Sequence, residues 1–171
     1  PKARVTLVEY ADLQCPYCGE FARNTLPSLV TEYVRTGKVK LVFRGLAFVG
    51  PESEAALRAA LAAGEQNRLW NFTHLIYENQ GAENSGWVTD GFIRSAAGGI
   101  AGVDVSHLVA AAQSTSVTDE LASAQNHATT DGVNSTPSFL VGRTGGALTR
   151  LSVHSLDLAA FRPTLDRLLR G

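Results

Sequence analysis

Two cysteines separated by two residues carry the clearest chemistry in the sequence. They form the segment Cys15-Pro16-Tyr17-Cys18, and the 171-residue chain contains no other cysteine. Two thiols at this spacing can close a small disulfide ring and open it again by thiol-disulfide exchange. A chain of this length buries enough apolar surface to fold without a disulfide framework, so a structural staple is not the expected role of the pair.

The position of Cys15 predicts an acidic thiol. The sequence predicts a buried strand over residues 5–10 and a helix from Tyr17 onwards, which places Cys15 at the N-terminal end of that helix. Unpaired backbone N–H groups and the positive end of the helix dipole stabilise a thiolate there, and Pro16 suits the first helical position because its missing N–H would have no partner. A thiol pKa lowered from about 8.5 to between roughly 3.5 and 7 would make Cys15 the nucleophile.

Cys18 lies one turn into the predicted helix, so we expect it to be the less exposed thiol that attacks a mixed disulfide formed at Cys15. Cys18 must lose a proton to do so, and Glu9, in the strand that leads to Cys15, is the candidate acceptor if its carboxylate is buried behind the cysteines. The alternative for Glu9 is an exposed carboxylate at a strand end, because glutamate is rarely fully buried.

The dipeptide Thr136-Pro137 precedes the third predicted strand. Taken alone, it is an ordinary trans proline at the start of a strand. A cis bond would instead turn the Thr136 backbone outward beside the cysteines, where an extended segment of a substrate could pair with it by strand addition.

The order of the predicted elements indicates an α/β fold. A second strand is predicted over residues 39–43, and the strand-helix-strand order favours a parallel pair. Residues 53–131 predict only helices. They are followed by a predicted hairpin with strands at 138–141 and 148–153 and by a closing helix at 158–169. The sequence therefore predicts a small mixed sheet covered by helices.

Two prolines fall within the predicted helices. Pro27 is expected to kink the helix that follows the cysteines. Pro163 is expected either to kink the last helix or to mark its first turn.

These motifs resemble the DsbA-like thiol-disulfide oxidoreductases of the thioredoxin superfamily. The resemblance rests on Glu9 before the Cys-Pro-Tyr-Cys motif, on the long helical insertion, and on the segment Gly132-Val133-Asn134-Ser135-Thr136-Pro137-Ser138-Phe139. It implies a thioredoxin fold with a helical domain inserted between the second and third strands. Residues 1–50 and 132–171 would form the thioredoxin-like domain, and residues 51–131 the helical insertion.

The resemblance also implies a role for each site residue. Cys15 would be the attacking cysteine, Cys18 the resolving cysteine and Glu9 the buried acid. Pro137 would be the catalytic cis-proline, and the substrate site would comprise the substrate-contacting Thr136 together with Pro16 and Tyr17. The strong oxidases of the family carry His where this chain has Tyr17, and the Pro-Tyr dipeptide resembles that of glutaredoxins, so the redox potential stays open.

Composition and resemblance together define the expected partners. The formal net charge of -1 and the absence of a basic block exclude a typical nucleic-acid binder. No cofactor is expected. The resemblance implies substrates that are cysteine-containing unfolded or partly folded proteins, and a membrane or thiol redox partner that regenerates the disulfide. It also implies an extracytoplasmic location in the bacterial periplasm or cell envelope. Because the sequence begins at Pro1, we expect a signal peptide or membrane anchor in the full-length form.

Three alternatives use the same two thiols. A reductase or an isomerase of the same fold would exchange disulfides at a lower potential. A metallochaperone would hold Cu(I) between the two thiolates, although the chain contains no methionine to act as a further soft ligand. A zinc site would need two further ligands at local spacing, and the four histidines are scattered singly.

Overall fold

A four-stranded mixed sheet lies at the centre of the computed structural model, which describes residues 3–171. The strands lie in the order β2-β1-β3-β4, and their bounds are β1 Val5–Ala11, β2 Val39–Gly45, β3 Ser138–Arg143 and β4 Thr149–Arg150. Strand β1 is parallel to β2 and antiparallel to β3, and β3 is antiparallel to β4. The predicted parallel pair and the mixed sheet are confirmed.

The central strand β1 is covered on both faces, as expected of a strand with a nearly continuous apolar run. Val5 and Leu7 pack in one apolar cluster together with Phe21 of the following helix. Val8 and Tyr10 belong to a different cluster on the opposite face. Because side chains alternate along a strand, Glu9 shares the face of Leu7, beneath the helix that carries the cysteines.

The helix after the cysteines is interrupted near its middle. It comprises α1 (Pro16–Asn24), α2 (Leu26–Leu29) and a π-helical turn (Val30–Val34). The interruption falls at Thr25, two residues before the kink predicted at Pro27, because Pro27 has no N–H to donate to the carbonyl four residues earlier.

Five helices separate β2 from β3 and form the helical insertion of this α/β thioredoxin fold. They are α3 (Pro51–Glu65), α4 (Leu69–Glu78), α5 (Asp90–Gly98), α6 (Val105–Ala111) and α7 (Thr115–Thr130). The buried apolar side chains of α3 to α6 form one cluster that also contains Leu13, Cys15 and Cys18, and Leu121 of α7 packs against it. The core of the insertion is therefore continuous with the segment that carries the cysteines. The domain limits at residues 50 and 131 stay a prediction.

The hairpin strand predicted at residues 148–153 is wrong in its extent. Only Thr149 and Arg150 pair with β3. Beyond them, Leu151 donates one further backbone hydrogen bond to Phe139, 2.8 Å long, and its side chain packs in the apolar cluster beside the last helix. The chain leaves the sheet at this point because its apolar side chains are buried against that helix.

The last helix, α8 (Leu158–Arg170), begins before Pro163, so the proline lies inside the helix and not in its first turn. Among residues 3–171, no helix is both long enough and apolar enough to cross a bilayer.

Candidate active site

The loop between β1 and α1 presents Cys15 at the start of the helix. Cys15 is the N-cap residue, with φ -65° and ψ 121°, and Pro16 follows in the first turn. The Cys15 N–H donates to the carbonyl of Asp12 at 3.1 Å, and the Cys15 carbonyl accepts the first helical bond from the Gly19 N–H at 3.1 Å. The structure thus places Cys15 at the helix N-terminus that the sequence predicted.

Both cysteines are free, and the thiol of Cys15 is acidic. A hydrogen bond with the Cys18 thiol is the main cause that lowers the pKa of Cys15, from its ordinary value of 9.0 to about 6. The Thr136 side chain and the backbone N–H groups of Cys18 and Tyr17 add further hydrogen bonds. All four hydrogen bonds together outweigh burial, which raises the pKa of Cys15. Near neutral pH, Cys15 is therefore largely a thiolate.

Cys18 lies in the opposite environment. Its side chain is fully buried, and burial raises the pKa of its thiol well above the ordinary value. The hydrogen bond to Cys15 and the negative charges of Cys15 and Glu9 raise the pKa further. The site therefore combines one charged, nucleophilic sulfur with one protonated sulfur a helical turn away.

Thr136 and Pro137 lie beside Cys15. The Cys15 Sγ atom lies 3.4 Å from the Thr136 carbonyl oxygen, and the bond between Thr136 and Pro137 is cis. A carbonyl oxygen only accepts hydrogen bonds, so this contact suits the neutral thiol, whereas the Thr136 side chain stabilises the thiolate. The structure therefore brings together the two segments that the sequence singled out.

Glu9 is buried, so the alternative of an exposed strand-end carboxylate is wrong. Its side chain is 1% exposed, and burial raises its pKa from 4.5 to about 8. In the sheet, Glu9 stands opposite Phe43 on one side and Phe139 on the other. A cavity of about 20 Å³, room for roughly one water molecule, separates Glu9 from Thr73 and Tyr77 of α4.

The surface around the cysteines exposes two aromatic side chains. Tyr17 is 64% exposed and Phe48 is 41% exposed. The loop that carries Phe48 is held by the buried Asp12 carboxylate, which accepts hydrogen bonds from the backbone N–H groups of Phe48 at 2.7 Å and Val49 at 2.9 Å. The sequence prediction missed Asp12 and Phe48. A polar residue that directly ends a buried strand was the available signal for Asp12.

Sequence prediction also missed the side chains of the insertion that contact the loop. The side chains of Tyr77 and Gln80 donate hydrogen bonds to the carbonyls of Asp12 and Leu13, and the side-chain oxygen of Asn84 accepts one from Gln14. No local sequence signal identifies them, because the contacts depend on how the helices pack.

No group of three or more His, Cys, Asp or Glu side chains that could hold a metal ion occurs within residues 3–171. The only sulfur ligands in the chain are the two thiols described above. The chemistry that this arrangement supports is attack by the Cys15 thiolate on a disulfide, or departure of that thiolate from one.

A family model described as thioredoxin matches residues 1–148. A probable disulfide bond formation protein D of Bacillus cereus is 35% identical over 95 residues, which cover 54% of this chain and 44% of that protein. The chain thus spans less than half the length of this curated relative.

Solved structures share the fold. The oxidised form of BdbD from Bacillus subtilis has a TM-score of 0.84 at 21% identity, covering 98% of this chain and 88% of that one. A thioredoxin-like oxidoreductase from Silicibacter pomeroyi has a TM-score of 0.76 at 29% identity, covering 100% of this chain and 90% of that one. The chain therefore belongs to the thioredoxin family and is a DsbA-like member of the thioredoxin superfamily.

Proposed function

We propose that this chain is a thiol-disulfide oxidoreductase that introduces disulfides into exported proteins through a mixed disulfide at Cys15. The opposed thiol pKa values of Cys15 and Cys18 are the observation that carries the proposal. An acidic thiolate favours the reduced pair over its disulfide, and so makes the disulfide an oxidant. The Bacillus relatives, whose names describe disulfide bond formation, also support an oxidase.

The proposed reaction begins with the Cys15-Cys18 disulfide. A substrate thiolate attacks Cys15 Sγ, the bond between Cys15 and Cys18 breaks, and Cys18 leaves as a thiolate. A second substrate thiolate then attacks the substrate sulfur of the mixed disulfide, and Cys15 leaves. Two electrons pass from the substrate dithiol to the cysteine pair. Cys15 is the better leaving group because its thiolate is stabilised.

We propose that Glu9 exchanges a proton with the Cys18 sulfur during this reaction. The buried Cys18 sulfur strongly disfavours a charge, so the departing thiolate must gain a proton. The Glu9 carboxyl group is protonated below a pH of about 8 and lies close enough for its charge to raise the pKa of Cys18. Glu9 would donate the proton in this step and accept it when the pair is reoxidised.

Thr136 and Pro137, together with Pro16 and Tyr17, form the proposed substrate site. Thr136 is half-buried, and its backbone carbonyl lies beside the nucleophilic sulfur, where an extended polypeptide could pair with it. Tyr17 is largely exposed and could contact apolar side chains of an unfolded chain. This geometry supports cysteine-containing unfolded or partly folded proteins as substrates.

An extracytoplasmic location follows from the proposed product. Protein disulfides persist in oxidising compartments and are rare in reducing ones. A membrane or thiol redox partner would have to accept the two electrons, because the reduced pair must be oxidised again before the next cycle.

Equilibration of the pair in glutathione buffers, read by alkylation of free thiols, tests the proposal. We expect a midpoint between about -120 and -180 mV, the range of oxidising and isomerising members of the superfamily. A midpoint near -270 mV would contradict the oxidase and indicate a reductase. Tight stoichiometric uptake of Cu(I) without catalysis of disulfide formation would indicate a metallochaperone. The Cys15→Ser variant, which cannot form the disulfide, is the control for both assays.

A further inference from the structure

Side chains of the helical insertion hold the loop that carries the nucleophilic cysteine. Gln80, two residues after the end of α4, makes two hydrogen bonds to this loop. Its Nε2 atom donates to the carbonyl oxygen of Leu13 at 3.1 Å and to that of Cys15 at 3.0 Å. One carboxamide group thus binds two carbonyls that lie on either side of Gln14.

The side chain of Gln14 is held from the same direction. It is fully buried, and its Nε2 atom donates to Ser53 Oγ at 2.9 Å. Its Oε1 atom accepts from the Asn84 N–H at 2.8 Å. The main chain and the side chain of the segment before Cys15 are therefore both held by residues of the helical insertion, namely Ser53, Gln80 and Asn84.

Gly19 leaves the space that Gln80 occupies. A Cβ atom at this position would overlap the Gln80 Oε1 atom and would lie 2.8 Å from the Arg23 guanidinium. The residue directly after Cys18 must therefore lack a side chain for the Gln80 carboxamide to reach the Cys15 carbonyl.

The Cys15 carbonyl is the first acceptor of α1, so its position sets the orientation of the first helical turn. The backbone N–H groups of that turn, at Tyr17 and Cys18, are donors to the Cys15 sulfur. A backbone amide stabilises a thiolate only when its N–H points at the sulfur. Loss of the Gln80 bonds would let the Cys15 carbonyl move and would weaken these amide bonds.

We propose that Gln80 is a positioning residue for thiol-disulfide exchange. By holding the Leu13 and Cys15 carbonyls, it keeps the backbone N–H groups of the first turn of α1 directed at the Cys15 sulfur. The inference rests on the proposed function and extends it, because it makes the helical insertion a determinant of the redox equilibrium. A purely structural Gln80 would stabilise the reduced and oxidised proteins equally. A positioning Gln80 stabilises the reduced form more, because only that form carries the thiolate.

The Gln80→Met variant separates the two roles, because it keeps the length of the side chain and removes both hydrogen bonds. Asn79→Ala is the matched control: the neighbouring Asn79 is exposed, and its Nδ2 atom donates only within the helix end, to the Leu75 carbonyl at 2.9 Å. The measurements are the glutathione equilibrium constant of the cysteine pair and the urea unfolding of both redox forms.

We expect Gln80→Met to shift the glutathione equilibrium about fivefold towards the disulfide, the effect of one lost hydrogen bond, and to destabilise the reduced form more than the oxidised form. Asn79→Ala should leave the equilibrium constant within about twofold of the wild type. An unchanged equilibrium constant in Gln80→Met, with equal destabilisation of both forms, would overturn the inference.

Gln80→Glu provides the same comparison if Gln80→Met does not fold, since it keeps the shape and replaces the donor with a carboxylate. We expect a shift in the same direction, and an equilibrium constant equal to that of the wild type would again overturn the inference. A wild-type midpoint near -270 mV would refute the proposed oxidase. The difference in the glutathione equilibrium constant between the Gln80 variants and the wild type would still show whether Gln80 has the positioning role.

Discussion

The Cys15 Sγ atom lies 3.4 Å from the carbonyl oxygen of Thr136, although the two residues are 121 positions apart in the sequence. The antiparallel pairing of β1 with β3 creates this contact, since Tyr10 near the end of β1 stands opposite Ser138 at the start of β3. The cysteine loop that follows β1 and the Thr136-Pro137 segment that precedes β3 therefore meet at one edge of the sheet. A polypeptide bound along Thr136 would present its sulfur to Cys15.

Replacement of Thr136 by valine should make the Cys15 thiol less acidic. The variant keeps the size of the side chain and the backbone carbonyl, but it removes the side-chain hydrogen bond that lowers the pKa of Cys15. We expect the rate of Cys15 alkylation at pH 6 to fall several-fold, the effect of one hydrogen bond. Thr130→Val is the control, because the Thr130 hydroxyl bonds only to the Asn126 carbonyl within α7. Equal alkylation rates in the wild type and Thr136→Val would argue against this contribution.

The two cysteines should respond differently to serine substitution. Cys15→Ser should abolish disulfide exchange, because the nucleophilic thiolate is lost. Cys18→Ser should accumulate mixed disulfides with a disulfide-containing substrate, because the Cys15 thiolate opens the substrate disulfide and no Cys18 thiol remains to release the product. Non-reducing electrophoresis followed by mass spectrometry measures both outcomes. Normal turnover by Cys18→Ser would show that Cys18 does not resolve the mixed disulfide.

Replacement of Glu9 by glutamine should stabilise the oxidised protein at neutral pH. The pKa of Glu9 is about 8 in the folded protein and 4.5 in the unfolded chain, so the folded state holds the proton more tightly. The wild type therefore loses stability as the pH rises from 4.5 to about 8, whereas Glu9→Gln does not.

Urea unfolding of the oxidised forms at pH 4.5 and pH 7 measures this effect without titration of the thiols. The free energy of unfolding of Glu9→Gln should exceed that of the wild type at pH 7 by an amount on the order of 3 kcal/mol, and the two should converge at pH 4.5. A difference that does not change with pH would contradict the raised pKa. Slower thiol-disulfide exchange by Glu9→Gln, despite its greater stability, would support the proposed proton transfer between Glu9 and Cys18.

The stability of the reduced form relative to the oxidised form should rise with pH. The pKa of Cys15 is about 6 in the folded protein and 9.0 in the unfolded chain, so its thiolate stabilises the reduced fold. This stabilisation is fully present above pH 9 and is lost as the pH falls through 6. Glu9 titrates in both redox forms, so its effect largely cancels in the difference.

Urea unfolding of both redox forms at pH 5.5 and pH 7.5 measures this difference in the free energy of unfolding. We expect it to grow between these values by no more than about 1.4 kcal/mol per pH unit. A constant difference would show that the Cys15 thiol is not acidified by folding.

The position of the cysteines could be predicted because it depends on local chain properties. The change from strand to helix periodicity at Tyr17, with Pro16 in the first turn, located Cys15 at the helix N-terminus. The burial of Glu9 could not be decided in the same way. Its strand pattern fixes which face of the sheet it occupies, but whether that face is covered near Glu9 depends on the packing of α4.

The contact between Gln80 and Cys15 lies further beyond sequence prediction. The two residues are 65 positions apart, and their hydrogen bond exists only because α4 packs against α1. A glutamine after a helix is typical of a solvated surface, so its type gave no signal. Gly19 is visible in the sequence, but only the packed structure shows why this position must lack a side chain.

The pH dependence of Cys15 alkylation in the reduced wild-type protein tests the central claim most directly. The burial of Cys18 makes Cys15 the thiol that reacts first, and mass spectrometry of the early product identifies the modified site. We predict a midpoint near pH 6, with alkylation nearly maximal at pH 7.5. A midpoint near 9, that of an unperturbed thiol, would contradict the acidified nucleophile on which the proposed oxidase depends.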